Sequence, residues 1–171
     1  MSKSKNKNLI MHIKNLQPQK NSRFIQGYYQ TINPDKYVSL DKRIIYRSSL
    51  ELKFFKLCDT DKNILKWASE PFTIKYYHPI KKKSHSYTID VWFQDNKGLK
   101  YMVEIKPFAY LKKPVKPSQN AHMSSWKRYK YEMERFIEIM AKKDAATKFA
   151  QANGMKYIFI TEMFFINNGI K

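Results

Sequence analysis

The chain has 171 residues, 43% of them apolar, enough for one domain that buries roughly 70% of its unfolded surface. Thirty-three Lys and Arg stand against fourteen Asp and Glu, a formal net charge of +19, so the expected partner is a polyanion, either nucleic acid or an acidic membrane surface. The apolar runs are too short to span a bilayer, Leu9-Ile10-Met11 is too short for a secretory h-region, and a single Cys58 excludes an intramolecular disulfide and a cysteine-rich zinc centre. The expected setting is intracellular.

Residues 1–42 hold Lys3, Lys5, Lys7, Lys14, Lys20 and Arg23 with no acid before Asp35, and contain Pro18 and Pro34 without a sustained apolar period. They read as a basic, partly extended arm, either a DNA-gripping or partner-docking segment or a solvated tail, preceding one domain over residues 43–171. From Ser48 to Asp59 the pattern is helical, with Leu50, Phe54, Leu57 and Cys58 on one stripe and Phe55 beside it. Ser48 and Glu51 have the spacing of a capping box. Glu51 therefore has two readings, a helix cap and a third carboxylate of an acidic centre.

Ile64-Leu65-Lys66-Trp67 follows, with Trp67 as a core anchor, and Pro71 to Tyr77 reads as a strand entering a Lys81-Lys82-Lys83 turn. His78 and His85 lack the spacing of a zinc site and read as turn residues, His85 also as a phosphate contact. Tyr87 to Phe93 and Lys100 to Ile105 are β-branched and aromatic, and Asp95-Asn96-Lys97-Gly98 between them carries turn chemistry. The hairpin predicted from that turn sets Val91 against Val103, Phe93 against Tyr101 and Asp90 against Glu104. With the preceding strand it makes a three-stranded meander. Thr88, Asp90, Trp92, Met102, Glu104 and Lys106 then share one face, while Ile89, Val91, Val103 and Ile105 share the other.

Two carboxylates opposed across a ladder repel by up to about 1 kcal/mol. A divalent cation compensates best, and hard oxygen ligands suit Mg²⁺, with Mn²⁺ as a substitute. Lys106 lies roughly 7 Å further along by strand rise, where its ammonium can orient water or neutralise a phosphoryl group. The arrangement points to a metal-dependent nuclease centre. The plain alternative is an exposed strand with solvated charges and Lys106 pairing one acid.

Pro107 to His122 reads as a mobile basic loop with Lys112, Lys113 and Lys116, and Lys127, Arg128 and Lys130 open the helix that follows. With no acid between Pro107 and Tyr131, this stretch is either one wall of a phosphate-binding cleft or a solvated linker. Ser124 or Ser125 is placed to cap the helix, Asn153-Gly154 to end it, and Trp126, Tyr129, Met133, Phe136, Ile137 and Met140 form a stripe expected to pack on the sheet, with base stacking as the lesser alternative. Tyr157 to Thr161 is then a buried strand reached by a helical crossover, which permits parallel pairing.

In this order, Arg47-Ser48-Ser49-Leu50-Glu51, Ile64 to Trp67, the Asp90 strand, Val103-Glu104-Ile105-Lys106-Pro107, the long helix and Tyr157 to Glu162 resemble the head-completion nucleases of large tailed phages, over roughly residues 43–165. The set is also similar to the TnsA transposase subunit, another member of the restriction-endonuclease-like superfamily. The resemblance implies an α/β fold with a restriction-endonuclease-like central mixed β-sheet flanked by helices, and a single nuclease domain over 43–171. It also implies magnesium-dependent phosphodiesterase chemistry on double-stranded DNA. The metal acids would be Asp90 and Glu104, joined by Glu51 from the helix, with Lys106 as the catalytic lysine. One departure is Ile89, which stands where a proline usually precedes the strand aspartate. The implied role is morphogenetic: cutting packaged DNA before head and tail join, in the host cytoplasm, in association with phage head, portal or neck proteins. Three other classes stay open at this level: a non-enzymatic DNA-binding head protein, a TnsA-like transposition or repair endonuclease, and a membrane-surface protein. Asn6, Asn8, His12 and Asn15 argue against the last by interrupting its apolar positions.

Overall fold

Strand β1 (Gly27–Tyr29) pairs with β2 (Ile44–Tyr46), and α1 (Ser49–Thr60) leads into strands β3 (Ile64–Ser69), β4 (Thr73–His78), β5 (Lys83–Thr88), β6 (Val91–Asp95) and β7 (Lys100–Ile105). A short α2 (Phe108–Leu111), a 30-residue α3 (Met123–Ala152), β8 (Met155–Ile160) and α4 (Glu162–Asn167) complete the order. This computed structural model describes residues 25–39 and 43–170. The central sheet runs β3-β6-β7-β8, antiparallel except for the parallel pair β7–β8 that the α3 crossover makes possible. It is the mixed, helix-flanked α/β sheet expected from the sequence.

The hairpin register is the expected one, with Val91 against Val103, Trp92 against Met102 and Phe93 against Tyr101. Its turn follows from side-chain chemistry. Asp95 Oδ1 accepts the N–H groups of Lys97 at 3.0 Å and Leu99 at 2.8 Å, and Gly98 takes φ +79°, a conformation that a side chain disfavours.

The meander is built differently from the expectation. The sheet neighbour of β6 is β3, whereas β4 pairs with β5 as a separate two-stranded ribbon. Between the pairs Ser69–Val91 and Thr73–Thr88 one arm advances four residues and the other three, so an extra residue bulges and bends both arms. Glu70 absorbs the bend at φ +45°, and the corner is tied by Glu70 N–H to the Asp90 carbonyl (2.9 Å) and Ile89 N–H to the Phe72 carbonyl (3.2 Å). Side-chain alternation breaks there. Ile89 packs with Phe72, Ile74 and Met102, while Val91 packs on the opposite side with Trp67 and Val103.

Those two sides are the two cores. One lies beneath α1 and α4, around a fully buried Trp67 with Phe54, Phe55, Val103 and Phe165; the other lies beneath the C-terminal half of α3, around Met102, Ala146 and Ala150. Tyr29 and Tyr37 belong to the first. Tyr37 sits edge-on to Trp67 at 4.8 Å between ring centroids, and the fully buried Asp59 carboxylate accepts the Tyr29 hydroxyl (2.8 Å) and the N–H groups of Ile32 (2.6 Å) and Asn33 (3.0 Å). The packed unit thus reaches back past the boundary expected at residue 43. Lys3 to Arg23 of the expected arm lie outside the described residues.

Helix α3 departs from its expected role as well. Its cap is His122, whose Nδ1 accepts the Ser124 N–H at 3.3 Å, rather than either serine. Its buried residues are Ile139, Ala146 and Ala150, so the stripe from Trp126 to Met140 is not core. The apolar period identified which residues share a face, but the sheet is too short to cover it: 30 residues of helix span about 45 Å, against about 20 Å for the six residues of β8. Among the described residues no helix is long and apolar enough to cross a membrane.

Candidate active site

The bend at Asp90 makes the site. Released from the ladder, Asp90 turns its carboxylate to the end of β7, where Oδ2 accepts the Ile105 N–H at 2.7 Å and lies 3.4 Å from Lys106 Nζ. Lys106 Nζ is 2.9 Å from Glu104 Oε1 and also donates to the Ile105 carbonyl at 3.1 Å. The three residues expected to converge do so, but not as an opposed cross-strand pair. Lys106 sits between the acids, and the corner rather than regular pleating brings Asp90 in.

Glu51 arrives from the first turn of α1. Its carboxylate accepts the Arg47 N–H at 2.8 Å and the Ser48 hydroxyl at 3.0 Å, and Ser48 Oγ accepts the Glu51 N–H at 3.1 Å, the reciprocal cap expected from the spacing. The same carboxyl lies within the field of Asp90 and Lys106. Burial first, and then Asp90, raise its pKa against the lowering pull of the Arg47 N–H, Ser48 and Lys106. The cap is formed, and the same carboxyl is placed where Asp90 and Lys106 act on its charge.

Glu104 is the most confined of the group, with its side chain 7% exposed and Oε2 buried without a hydrogen-bond partner. Burial, and then the Asp90 charge, push its carboxyl up to about 7 despite the Lys106 ammonium. Burial pulls the other way on Lys106, but Asp90 and Glu104 outweigh it and hold the ammonium charged well above its ordinary range. One ammonium thus serves three acids. That charge imbalance, a buried oxygen without a partner and an all-carboxylate donor set suit a hard divalent cation. Among the described residues no three His, Cys, Asp or Glu side chains already form a metal cage, because Lys106 lies between two of the acids and Glu51 is bonded to its own cap.

Sequence reasoning missed Tyr157 and Glu70. Tyr157 lies on β8 one side-chain repeat before Phe159, the partner of Glu104, and its buried hydroxyl lacks a hydrogen-bond partner. Burial, and then Glu104, raise its pKa. Only the β7–β8 register would have exposed it. Glu70 bonds Arg47 at 3.1 Å across the bend, and a lone acid before Pro71 gave no signal of that.

The expected DNA contacts divide. Lys112, Lys113 and Lys116 lie exposed in the segment after α2, Lys112 over the Phe108 ring at 4.7 Å and Lys116 over Trp126 at 5.8 Å. Lys127 and Arg128 are exposed on α3, and Arg128 bonds Glu132 at 2.8 Å. His85 is not gathered with the acids. It lies in the ribbon against His78 and Tyr76, at 4.9 and 6.1 Å between ring centroids, and its Nε2 is buried without a partner. Nor are the histidines turn residues: both are strand residues, and His78 is buried 3.7 Å from Glu138.

Residues 61–162 match the family described as TnsA-like endonuclease N terminal, a span that contains Asp90, Glu104 and Lys106 but not Glu51. The chain is also 34% identical over 138 residues to the head completion nuclease of Enterobacteria phage T4, covering 80% of this chain and 90% of that protein. With a mixed sheet flanked by helices and its acids gathered at the end of the parallel pair, the chain belongs to the TnsA-like endonuclease family, within the restriction-endonuclease-like fold, and is a relative of that phage nuclease.

Proposed function

We propose that this protein is a metal-dependent deoxyribonuclease that hydrolyses phosphodiester bonds in DNA, and that it acts on packaged phage DNA as heads are completed for tail joining. The observation that carries the chemistry is the convergence of Asp90, Glu104 and Lys106 around a buried carboxylate oxygen that lacks a partner. The morphogenetic role rests on the similarity to a protein named for head completion.

Asp90, Glu104 and, from the helix, Glu51 would hold Mg²⁺, with Mn²⁺ as a substitute. Such a cation supplies Lewis acidity toward a phosphoryl oxygen and toward water. The protein contributes position. Ile105 N–H fixes Asp90, the β7–β8 ladder fixes Glu104, and the two acids keep Lys106 protonated, so its ammonium can meet the charge that develops on the phosphate. Lys112, Lys113, Lys116, Lys127 and Arg128 offer phosphate contacts nearby, which carry affinity but little sequence preference.

Cleavage of supercoiled plasmid and of linear DNA across a magnesium titration tests the proposal. Asp90→Asn, Glu104→Ala and Lys106→Ala should each lower cleavage by about a hundredfold or more, with DNA binding held within a few fold. Unchanged cutting by any of the three would refute the assignment of that residue, and no cutting by wild type in either metal would refute the enzyme.

A further inference from the structure

The overhang of α3 leaves an aromatic face only half-covered at the site end of the sheet, with Trp126 and Tyr129 partly exposed. Because β8 is parallel to β7 and α3 precedes it, the helix runs antiparallel to both strands. Lys142 is close enough to Glu104 to act on its charge, and its carbonyl accepts the Tyr87 hydroxyl at 3.0 Å, which fixes the level of the helix against the site. The 19 residues from Met123 to Ala141 therefore extend about 28 Å past that level. The ribbon covers part of this length through Tyr76 and Glu138, α2 packs on another part with Tyr110 under Arg135 at 3.6 Å, and a groove of about 450 Å³ remains, lined by Met123, Trp126, Lys127, Tyr129, Lys130, Met133 and Glu134.

The chemistry of this face is mixed in a particular way. From Pro107 to Tyr131 the sequence has Lys112, Lys113, Lys116, Lys127, Arg128 and Lys130 without one acid, interleaved with Phe108, Tyr110, Trp126, Tyr129 and Tyr131. A face built for a protein partner concentrates apolar groups and excludes lysine from its centre. Here two lysines line the groove against the single acid Glu134, and Lys116 stands over the Trp126 ring. Rings beside cations match a polyanion that also offers flat apolar faces, which is a nucleic-acid strand with unpaired bases; in a closed duplex those faces are already stacked on each other.

We propose that the overhanging half of α3, centred on Trp126 and Tyr129, stacks unpaired DNA bases while the surrounding lysines hold the phosphates, so that the substrate is a DNA end with frayed or single-stranded nucleotides. Assigning this strand to the neighbouring centre rests on the nuclease reading above.

The test is fluorescence anisotropy in the Asp90→Asn background, where cutting does not interfere, with a short labelled oligothymidine and a duplex closed by loops at both ends. Combining Trp126→Ala with Tyr129→Ala should weaken oligothymidine binding by roughly tenfold or more and closed-duplex binding by less than about twofold, while Trp126→Phe retains most of the affinity. Indole fluorescence should be quenched by oligothymidine, and the quenching should disappear in Trp126→Phe. Equal losses on both probes would overturn the proposal, and so would no loss on either, which would leave this face to a protein partner. The two readings fail separately. Wild type that cuts neither plasmid nor linear DNA with frayed ends but discriminates the probes through Trp126 sinks the nuclease and keeps the stacking face; wild type that cuts without such discrimination does the reverse.

Discussion

At the scale of single residues, Glu51 caps α1 and faces the site with the same carboxyl. Its oxygens accept from Arg47 N–H and Ser48 Oγ, yet its carboxyl lies in the field of Asp90 and Lys106. The two roles separate by substitution. Glu51→Ala should cost about 1 kcal/mol through the lost cap, measured by thermal unfolding, and should also lower cleavage. Glu51→Gln keeps acceptors for the cap and should recover most of the stability while leaving cleavage low. A glutamine variant that cuts like wild type would reduce Glu51 to a cap. Both roles were legible in the sequence, because capping-box spacing and an acid ahead of an apolar helix are visible there. Tyr157 was not, since its place beside Glu104 depends on a parallel register that no local pattern encodes.

At the scale of elements, the ribbon is fastened to α3 by Glu138, which receives the Tyr76 hydroxyl at 3.0 Å, bonds Lys142 at 2.7 Å and lies 3.7 Å from His78, whose ring is tilted against His85. Burial would raise the Glu138 carboxyl, but Lys142, Tyr76 and His78 together hold it below its ordinary 4.5. A depressed carboxyl contributes stability above its unfolded pKa and loses it as pH falls through the folded one. Wild type should therefore be the more stable partner of Glu138→Gln at neutral pH, with the gap closing as pH drops below about 4.5 in thermal melts. With about a third of the side chain exposed, solvent screening keeps the gap modest. The β6–β7 register was legible because Asp95-Asn96-Lys97-Gly98 dictates its turn. The bend was not: Tyr87-Thr88-Ile89-Asp90-Val91 reads as uninterrupted alternation, and the strain that breaks it sits on Glu70 in the neighbouring arm. The aromatic stripe of α3 misled for a different reason. Periodicity marks a face, but whether anything covers it depends on the lengths of the elements opposite.

At the scale of the whole molecule, a net charge of +19 makes the affinity for DNA a matter of counterion release. Changing Lys112, Lys113 and Lys116 to Gln together should flatten the slope of log affinity against log salt by roughly 2 to 3 on duplex DNA, at little cost to stability because all three are exposed. An unaltered slope would remove this segment from the DNA path. The buried Asp59 has a practical consequence of its own. Its carboxylate is satisfied almost wholly by groups that precede residue 34 in the chain, and Tyr37 closes over the same hollow against Trp67. A protein trimmed to start at residue 43 would leave an uncompensated anion beside an indole open to water, so it should emerge misfolded or insoluble, whereas trimming at residue 25 keeps the clasp intact and should give a well-behaved preparation by size exclusion.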